Sequence, residues 1–218
     1  MADNSRAATF IEPDDVVLLV VDAQPGLALV ADSRPHQEFI DAVTAVVRLA
    51  RLFDVPIVAT TSARDRFSGP MFPQVTEHLE SAPIERHVLD AWQDDNVRAA
   101  IEATGRKHVL VVGALTEACV AFPVLSMLAE GYRVEVIVDA TAAITKETQE
   151  AAVQRMTQAG AGVATWVQLL LEWQQDWTHH DTYAGATGIL TDLGGGYGLA
   201  LHHAWEMLSS PAATPKTD

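Results

Sequence analysis

Val109-Leu110-Val111-Val112-Gly113-Ala114-Leu115-Thr116-Glu117-Ala118-Cys119-Val120 decides how this 218-residue chain folds. Its aliphatic start has no polar interruption, the pattern of a parallel strand buried on both faces. After Ala114-Leu115, the run from Thr116 opens an apolar helix for which Thr116 is the expected N-cap. Cys119, the only cysteine of the chain, then falls in the first helical turn, near unpaired backbone N–H groups and the positive end of the helix dipole. Such a position favours thiolate over thiol and lowers the cysteine pKa. The plain alternative is a small buried hydrophobe on a helix. The strand-to-helix turn favours the nucleophile.

The same alternation extends in both directions. Val16-Val17-Leu18-Leu19-Val20-Val21 is a second continuous aliphatic run and ends at Asp22. Helical spacing of apolar residues covers 39–53, and a strand is expected at 55–60. A short helix is expected near 73–80, a weak strand at 84–88, and a helix at 94–104 stopped by Gly105. Beyond Cys119 the helix is expected to end near Gly131, followed by a strand at 134–138, a helix at 146–159 and a last strand at 162–165. Strands and helices alternating at this spacing specify an α/β fold: a three-layer α-β-α, Rossmann-like parallel sheet covered on both faces. Right-handed crossovers gather the strand C-termini along one edge, so Asp22, Thr61, Gly113 and Asp139 are expected around one pocket.

The domain is expected to occupy residues 12–177, the last helix running over 167–177. Residues 178–218 read as a C-terminal tail, with a glycine-rich stretch at 185–198, a short helix at 199–208 and disordered last residues. An apolar tail past a complete sheet needs a surface to bury itself on, and a neighbouring subunit is the expected one, making the protein a homo-oligomer.

A hydrophobic fraction of 49% supplies a sizeable core. The formal net charge of −15 argues against nucleic acid or an anionic membrane as partner and does not identify the small-molecule substrate that is expected. No apolar run approaches the ~20 residues of a bilayer span. Residues 1–6 lack the basic start and apolar segment of a signal peptide. A lone cysteine suits a reducing compartment, so a cytoplasmic location is expected.

Three further side chains attract chemistry. Asp22 at a strand end is costly to bury alone and should pair with a cation. As a general base it would take the Cys119 proton; its other reading is a turn former. Arg86, in Glu85-Arg86-His87-Val88-Leu89-Asp90-Ala91-Trp92, offers a charge to both Asp22 and a thiolate, though an isolated arginine is commonly a solvated one. Trp92 either walls the pocket or plugs a helix–sheet interface, the latter being favoured. Gln24, just past Asp22, is a candidate for the pocket wall.

With Asp22 after an aliphatic strand, a basic residue before Asp90-Ala91-Trp92, and Gly113-Ala114-Leu115-Thr116-Glu117-Ala118-Cys119-Val120, the chain resembles the isochorismatase-like cysteine hydrolases. Cys119-Val120-Ala121-Phe122-Pro123, Val138-Asp139-Ala140 and Met156-Thr157-Gln158-Ala159-Gly160-Ala161 look most like the YcaC-like branch. The resemblance spans roughly 12–185. It implies an Asp–Lys–Cys triad with Asp22 as base and Cys119 as nucleophile. No lysine precedes Asp90-Ala91-Trp92, and Arg86 is the closest replacement. It keeps the charge but is bulkier and cannot deprotonate. The resemblance also implies a non-proline cis peptide at Leu115–Thr116, turning backbone N–H groups, including that of Cys119, toward an oxyanion.

Metal-binding relatives use an Asp-x-His pair, which residues 52–75 lack. His179-His180 and His202-His203 read as surface or interface residues, because adjacent histidines diverge on strands and helices. No metal and no cofactor are expected. The glycines at 194–198 follow no buried strand and are not a dinucleotide fingerprint. The expected activity is hydrolysis of a small amide or related C–N compound through a Cys119 thioester. The alternative is a catalytically weak relative that binds a small molecule or serves as an oligomeric scaffold, favoured by the missing lysine.

Overall fold

The computed structural model of the chain describes residues 10–209. Its strands are β1 (Val16–Val21), β2 (Ile57–Ser62), β3 (Ile84–Arg86), β4 (His108–Ala114), β5 (Arg133–Ala142) and β6 (Gly162–Ala164). Its helices are α1 (Pro25–Val30), α2 (His36–Leu52), α3 (Pro73–Thr76), α4 (Asp95–Ala103), α5 (Ala121–Ala129), α6 (Lys146–Gln158), α7 (Trp166–Gln174), α8 (His180–Leu193) and α9 (Gly196–Ser209). The strands form one parallel sheet in the order β3-β2-β1-β4-β5-β6. The chain winds outward from β1 to β3, returns to the centre at β4, and winds outward again. The reversal between β1 and β4 is the place where open α/β sheets leave a crevice at the strand C-termini.

Both faces of the sheet are covered, which is why its central strands are uninterrupted aliphatic runs. Val16, Leu18 and Val20 share a cluster with Phe39, Val43, Val46 and Leu49 of α2 and with Leu169, Leu170 and Trp173 of α7. Val17, Leu19 and Val21 turn the other way, onto Val97 and Ile101 of α4, Val124 and Met127 of α5, and Met156 of α6. Each such side chain removed from water contributes about 1.5–3 kcal/mol. Local signals then set the ends: the Asp94 carboxylate accepts from Asn96 and Val97 N–H at the start of α4, and Gly105 at φ +71° closes it.

The three-layer parallel fold is as expected, with two differences along the chain. β5 runs on to Ala142, and its pairing with β4 slips between Val111 and Gly113, so Asp139 lies within the strand instead of past its end. The glycine-containing stretch after 178 holds a helix, α8, that composition alone conceals because Gly185 and Gly188 carry low helix propensity. Gly185 is needed for packing: a Cβ there would lie 2.5 Å from Leu52 Cδ1 of α2. Ala186, Ile189 and Leu190 are buried in the α2 cluster. The first half of the tail therefore covers its own domain, which corrects the expectation that a neighbouring subunit receives it. α9 stays largely uncovered, with Leu199, Trp205, Met207 and Leu208 exposed. No described helix is long and apolar enough to cross a membrane. The readings of residues 1–6 and of a disordered C-terminal end after Ser209 lie outside the described residues.

Candidate active site

Asp22 and Cys119 follow the two strands that flank the reversal, and Arg86 ends β3 two strands away. Glycine makes the junction possible. Val21 and Gly113 are register partners, and a Cβ on Gly113, at φ +127°, would sit 1.8 Å from the Val21 carbonyl oxygen. The chain then leaves β1 through Asp22 at φ +50°, a left-handed conformation that aspartate tolerates better than most residues.

Asp22 and Arg86 form an ion pair with both side chains fully withdrawn from water. Arg86 Nη2 donates to Asp22 Oδ2, and Thr60 Oγ1 donates to Oδ1 at 2.9 Å. Arg86 Nη1 donates to the carbonyls of Val88 and Leu89, the latter at 3.0 Å. Arg86 is therefore no solvated surface charge; it fastens β3 and the segment after it to the end of β1. Burial pushes the Asp22 carboxyl above the usual carboxylate range, opposed by the Arg86 charge and by hydrogen bonds from Thr60, Cys119 and Ser62.

Cys119 is buried and adjoins both members of the pair. Burial pushes its thiol up, and the Asp22 charge pushes the same way, against the pull of Arg86 and of the Leu115 backbone. The expected lowering of its pKa is thus corrected: burial and the Asp22 charge raise it instead. The helix start differs too. Thr116–Val120 is a π turn preceded by Leu115, with the Val120 N–H reaching the Leu115 carbonyl at 3.1 Å. Thr116 does not cap it. Its hydroxyl donates to Gln149 Oε1 at 2.6 Å, and Gln149 Nε2 donates to Thr141 Oγ1 at 2.8 Å, tying the turn to α6 and β5. The cis peptide is Ala114–Leu115, one residue earlier than expected. The Leu115 carbonyl also accepts from Ala118 N–H at 3.1 Å, so the Ala118 and Val120 amides are both engaged.

Other expected residues have structural partners. Gln24 is fully buried; its amide nitrogen donates to the Ser62 and Gly69 carbonyls and its oxygen accepts from Ser62 N–H, leaving it a tie between loops and not a pocket wall. Trp92 is a plug, buried edge-on against Tyr132 with the Arg98 guanidinium 4.6 Å above its ring. Thr61 donates to Glu85 at 2.7 Å, and Asp139 accepts from Trp166 N–H at 2.9 Å, so neither joins the Asp22 group. Thr60, Gln149 and Thr141 were not legible in advance, because a hydroxyl or amide carries no periodic signal of the atom it will reach.

Two hollows frame the choice of site. One of about 630 Å³ lies against α7, between Phe10, Val167 and Leu171, and its acid, Glu172, is occupied by Ile11 N–H and Gln168. The other, about 560 Å³, lies at the C-terminal ends of β2 and β3 and has Arg86 in its wall. Only the second adjoins the buried trio. Among the described residues no cluster of three His, Cys, Asp or Glu side chains is placed to hold a metal ion, and His179, His180, His202 and His203 are exposed.

A family model described as Isochorismatase domain matches residues 16–168. Probable hydrolase YcaC of Escherichia coli is 35% identical over 170 residues, which is 77% of this chain and 81% of that protein. The crystal structure of the E. coli YcaC gene product, described as an octameric hydrolase of unknown specificity, superposes with a TM-score of 0.87 at 32% identity, covering 94% of this chain and all of the other. YcaC from Pseudomonas aeruginosa, solved with hexane-2,5-diol and covalent acrylamide, gives a TM-score of 0.85 at 32% identity over 91% of this chain and 98% of that one. With the matched domain spanning every strand of the sheet, the chain belongs to the isochorismatase family, in its YcaC-like branch.

Proposed function

We propose that the protein is a cysteine hydrolase of a small amide or related C–N compound. The observation that carries this reading is the buried Asp22–Arg86 pair set against Cys119 at the sheet reversal. Burial raises the Asp22 carboxyl, which makes it a stronger base toward the adjoining thiol. Asp22 takes the Cys119 proton as the sulfur attacks the carbonyl carbon. The C=O electron pair moves to oxygen, where the Cys119 N–H meets the oxyanion in the turn shaped by Leu115 and Thr116. On collapse the C–N bond breaks, and protonated Asp22 gives its proton to the departing nitrogen. Water, deprotonated by Asp22, then attacks the thioester; the acid leaves and the proton returns to sulfur. Arg86 keeps the pocket charge balanced when Asp22 is ionised. The covalent acrylamide described for the P. aeruginosa relative supports a nucleophilic thiol, since acrylamide alkylates thiolates.

Ammonia release from a panel of small amides tests the reading. Wild type turns over at least one member, Cys119→Ser none, and Asp22→Asn is slower by about 10²–10⁴-fold, the usual worth of a general base. A panel hydrolysed equally by Cys119→Ser would overturn it.

The second reading, a catalytically weak binder or scaffold, is favoured by Arg86 itself, whose guanidinium is spread over Asp22 and two carbonyls. Arg86→Lys separates the two. Lower activity in that variant identifies Arg86 as a working member of the site, while a gain identifies a damaged triad. We further propose a homo-oligomer, supported by the exposed face of α9 and by the octamer described for the E. coli relative, and a cytoplasmic location, supported by the single cysteine, which suits a reducing compartment.

A further inference from the structure

The 560 Å³ cleft that shares Arg86 with the buried trio is lined by Ser62, Ala63, Asp65 and Arg66 after β2 and by Glu85 to Leu89 around the end of β3. Its volume suits a small molecule. Its charges are unequally satisfied. Glu85 takes the Thr61 hydroxyl at 2.7 Å and the Arg64 N–H at 3.0 Å, and Asp65 faces the Arg64 guanidinium at 3.5 Å. Arg86 is neutralised by Asp22, and His87 interacts with Glu85. Arg66 differs: among the described residues its guanidinium has neither a hydrogen bond nor an ion pair, and only its backbone N–H is bonded, to Ala63 at 3.0 Å. On a chain of net charge −15, the exposed Arg66 guanidinium, left without an acid partner, offers this cleft a positive group.

The far wall has a different character. Val88 and Leu89 are exposed apolar side chains, and their carbonyls are the two that Arg86 Nη1 holds. A lysine ammonium has no rigid fork with which to pair Asp22 and grip that segment together. The arginine read as standing in the lysine's place thus also fixes the wall, leaving a cleft with one unpaired guanidinium, one apolar side and Arg86 as the residue it shares with the buried trio.

We propose that this cleft takes the non-reacting end of the substrate and that Arg66 receives a carboxylate there, making the substrate a small carboxylate-bearing amide with a short aliphatic spacer. The proposal rests on the hydrolase reading for the amide half and on the cleft for the acid half. Guanidinium and carboxylate pair through two parallel N–H···O bonds, so the acid is distinguished from its neutral amide by charge and by geometry.

Succinamate, with succinamide as its neutral counterpart, is the probe. Calorimetric titration of the full-length Cys119→Ser variant reads binding without turnover. Succinamate is expected to bind at least tenfold more tightly than succinamide. Arg66→Gln should erase that preference by weakening succinamate alone, and Arg66→Lys should keep most of it. Equal affinity for the two probes, or an unchanged preference in Arg66→Gln, overturns the assignment. Iodoacetamide labelling of wild-type Cys119 without probe reads the nucleophile separately: labelling with no acid preference rejects the cleft assignment and spares the hydrolase reading, whereas acid preference without labelling does the reverse.

Discussion

Thr60 shows how closely the chemistry depends on single atoms. Its hydroxyl donates to Asp22 Oδ1 and favours the ionised carboxylate, against a burial that favours the acid. Thr60→Val removes that donor, so the Asp22 carboxyl rises further and less of the base form is present at any given pH. The acidic limb of the hydrolysis profile should shift to higher pH, with a stability loss of about 1–3 kcal/mol from the orphaned oxygen. Thr60→Ser should restore the wild-type profile; an unmoved limb in Thr60→Val would show that Asp22 is not the titrating base. The same reasoning explains Cys119. A position in the first turn after a strand argues for a lowered pKa, but the turn is a π turn, the sulfur is buried, and the Asp22 carboxylate beside it opposes the thiolate. Three-dimensional neighbours outweigh the helix end, and they are not encoded within a few residues of the cysteine.

At the scale of elements, the site is set by how β1 and β4 come together. Gly113 lets the Val21 carbonyl approach where any side chain would collide. Gly113→Ala must part the two strands at the point from which both Asp22 and the Cys119 turn depart. It should cost on the order of 3 kcal/mol or more in urea unfolding and abolish activity at temperatures where the fold persists; retained activity would contradict the geometry. The elements themselves were largely legible in the sequence, since β1 and β4 are aliphatic on both faces and α4 carries its cap and glycine stop. So were Asp22, Arg86 and Cys119, two of them just past strand ends and one closing a strand. What was not legible depends on packing. α8 is held by α2 despite two glycines, β5 lengthens through a slip in pairing, the Cys119 turn is a π turn, and the cis bond lies one residue before its expected place. Gln24, read as a pocket candidate, is taken by the Ser62 and Gly69 carbonyls, while Trp92 takes the plug position its sequence context favoured, against Tyr132.

For the whole molecule, the tail divides into two parts with different physics. α8 packs on α2 and α7 of its own domain, while α9 presents Leu199, Trp205, Met207 and Leu208 to solvent. Apolar residues in such number on one short helix mark a contact surface. Truncation after Leu193 should leave the thermal unfolding of the domain within a few degrees of wild type and lower its mass in light scattering; an unchanged assembly would remove α9 from the interface.

The central claim is that Asp22 and Cys119 form one proton-exchanging pair, and the pH dependence of Cys119 alkylation by iodoacetamide tests it most directly because the chain has a single thiol. In wild type the midpoint should lie above that of an ordinary thiol, since burial and the Asp22 charge both oppose the thiolate. In Asp22→Asn the charge is gone and Arg86 remains, so the midpoint should fall and labelling at neutral pH should quicken while amide hydrolysis slows by about 10²–10⁴-fold. Equal profiles in the two proteins, or no labelling of the folded protein at any pH, would contradict the account.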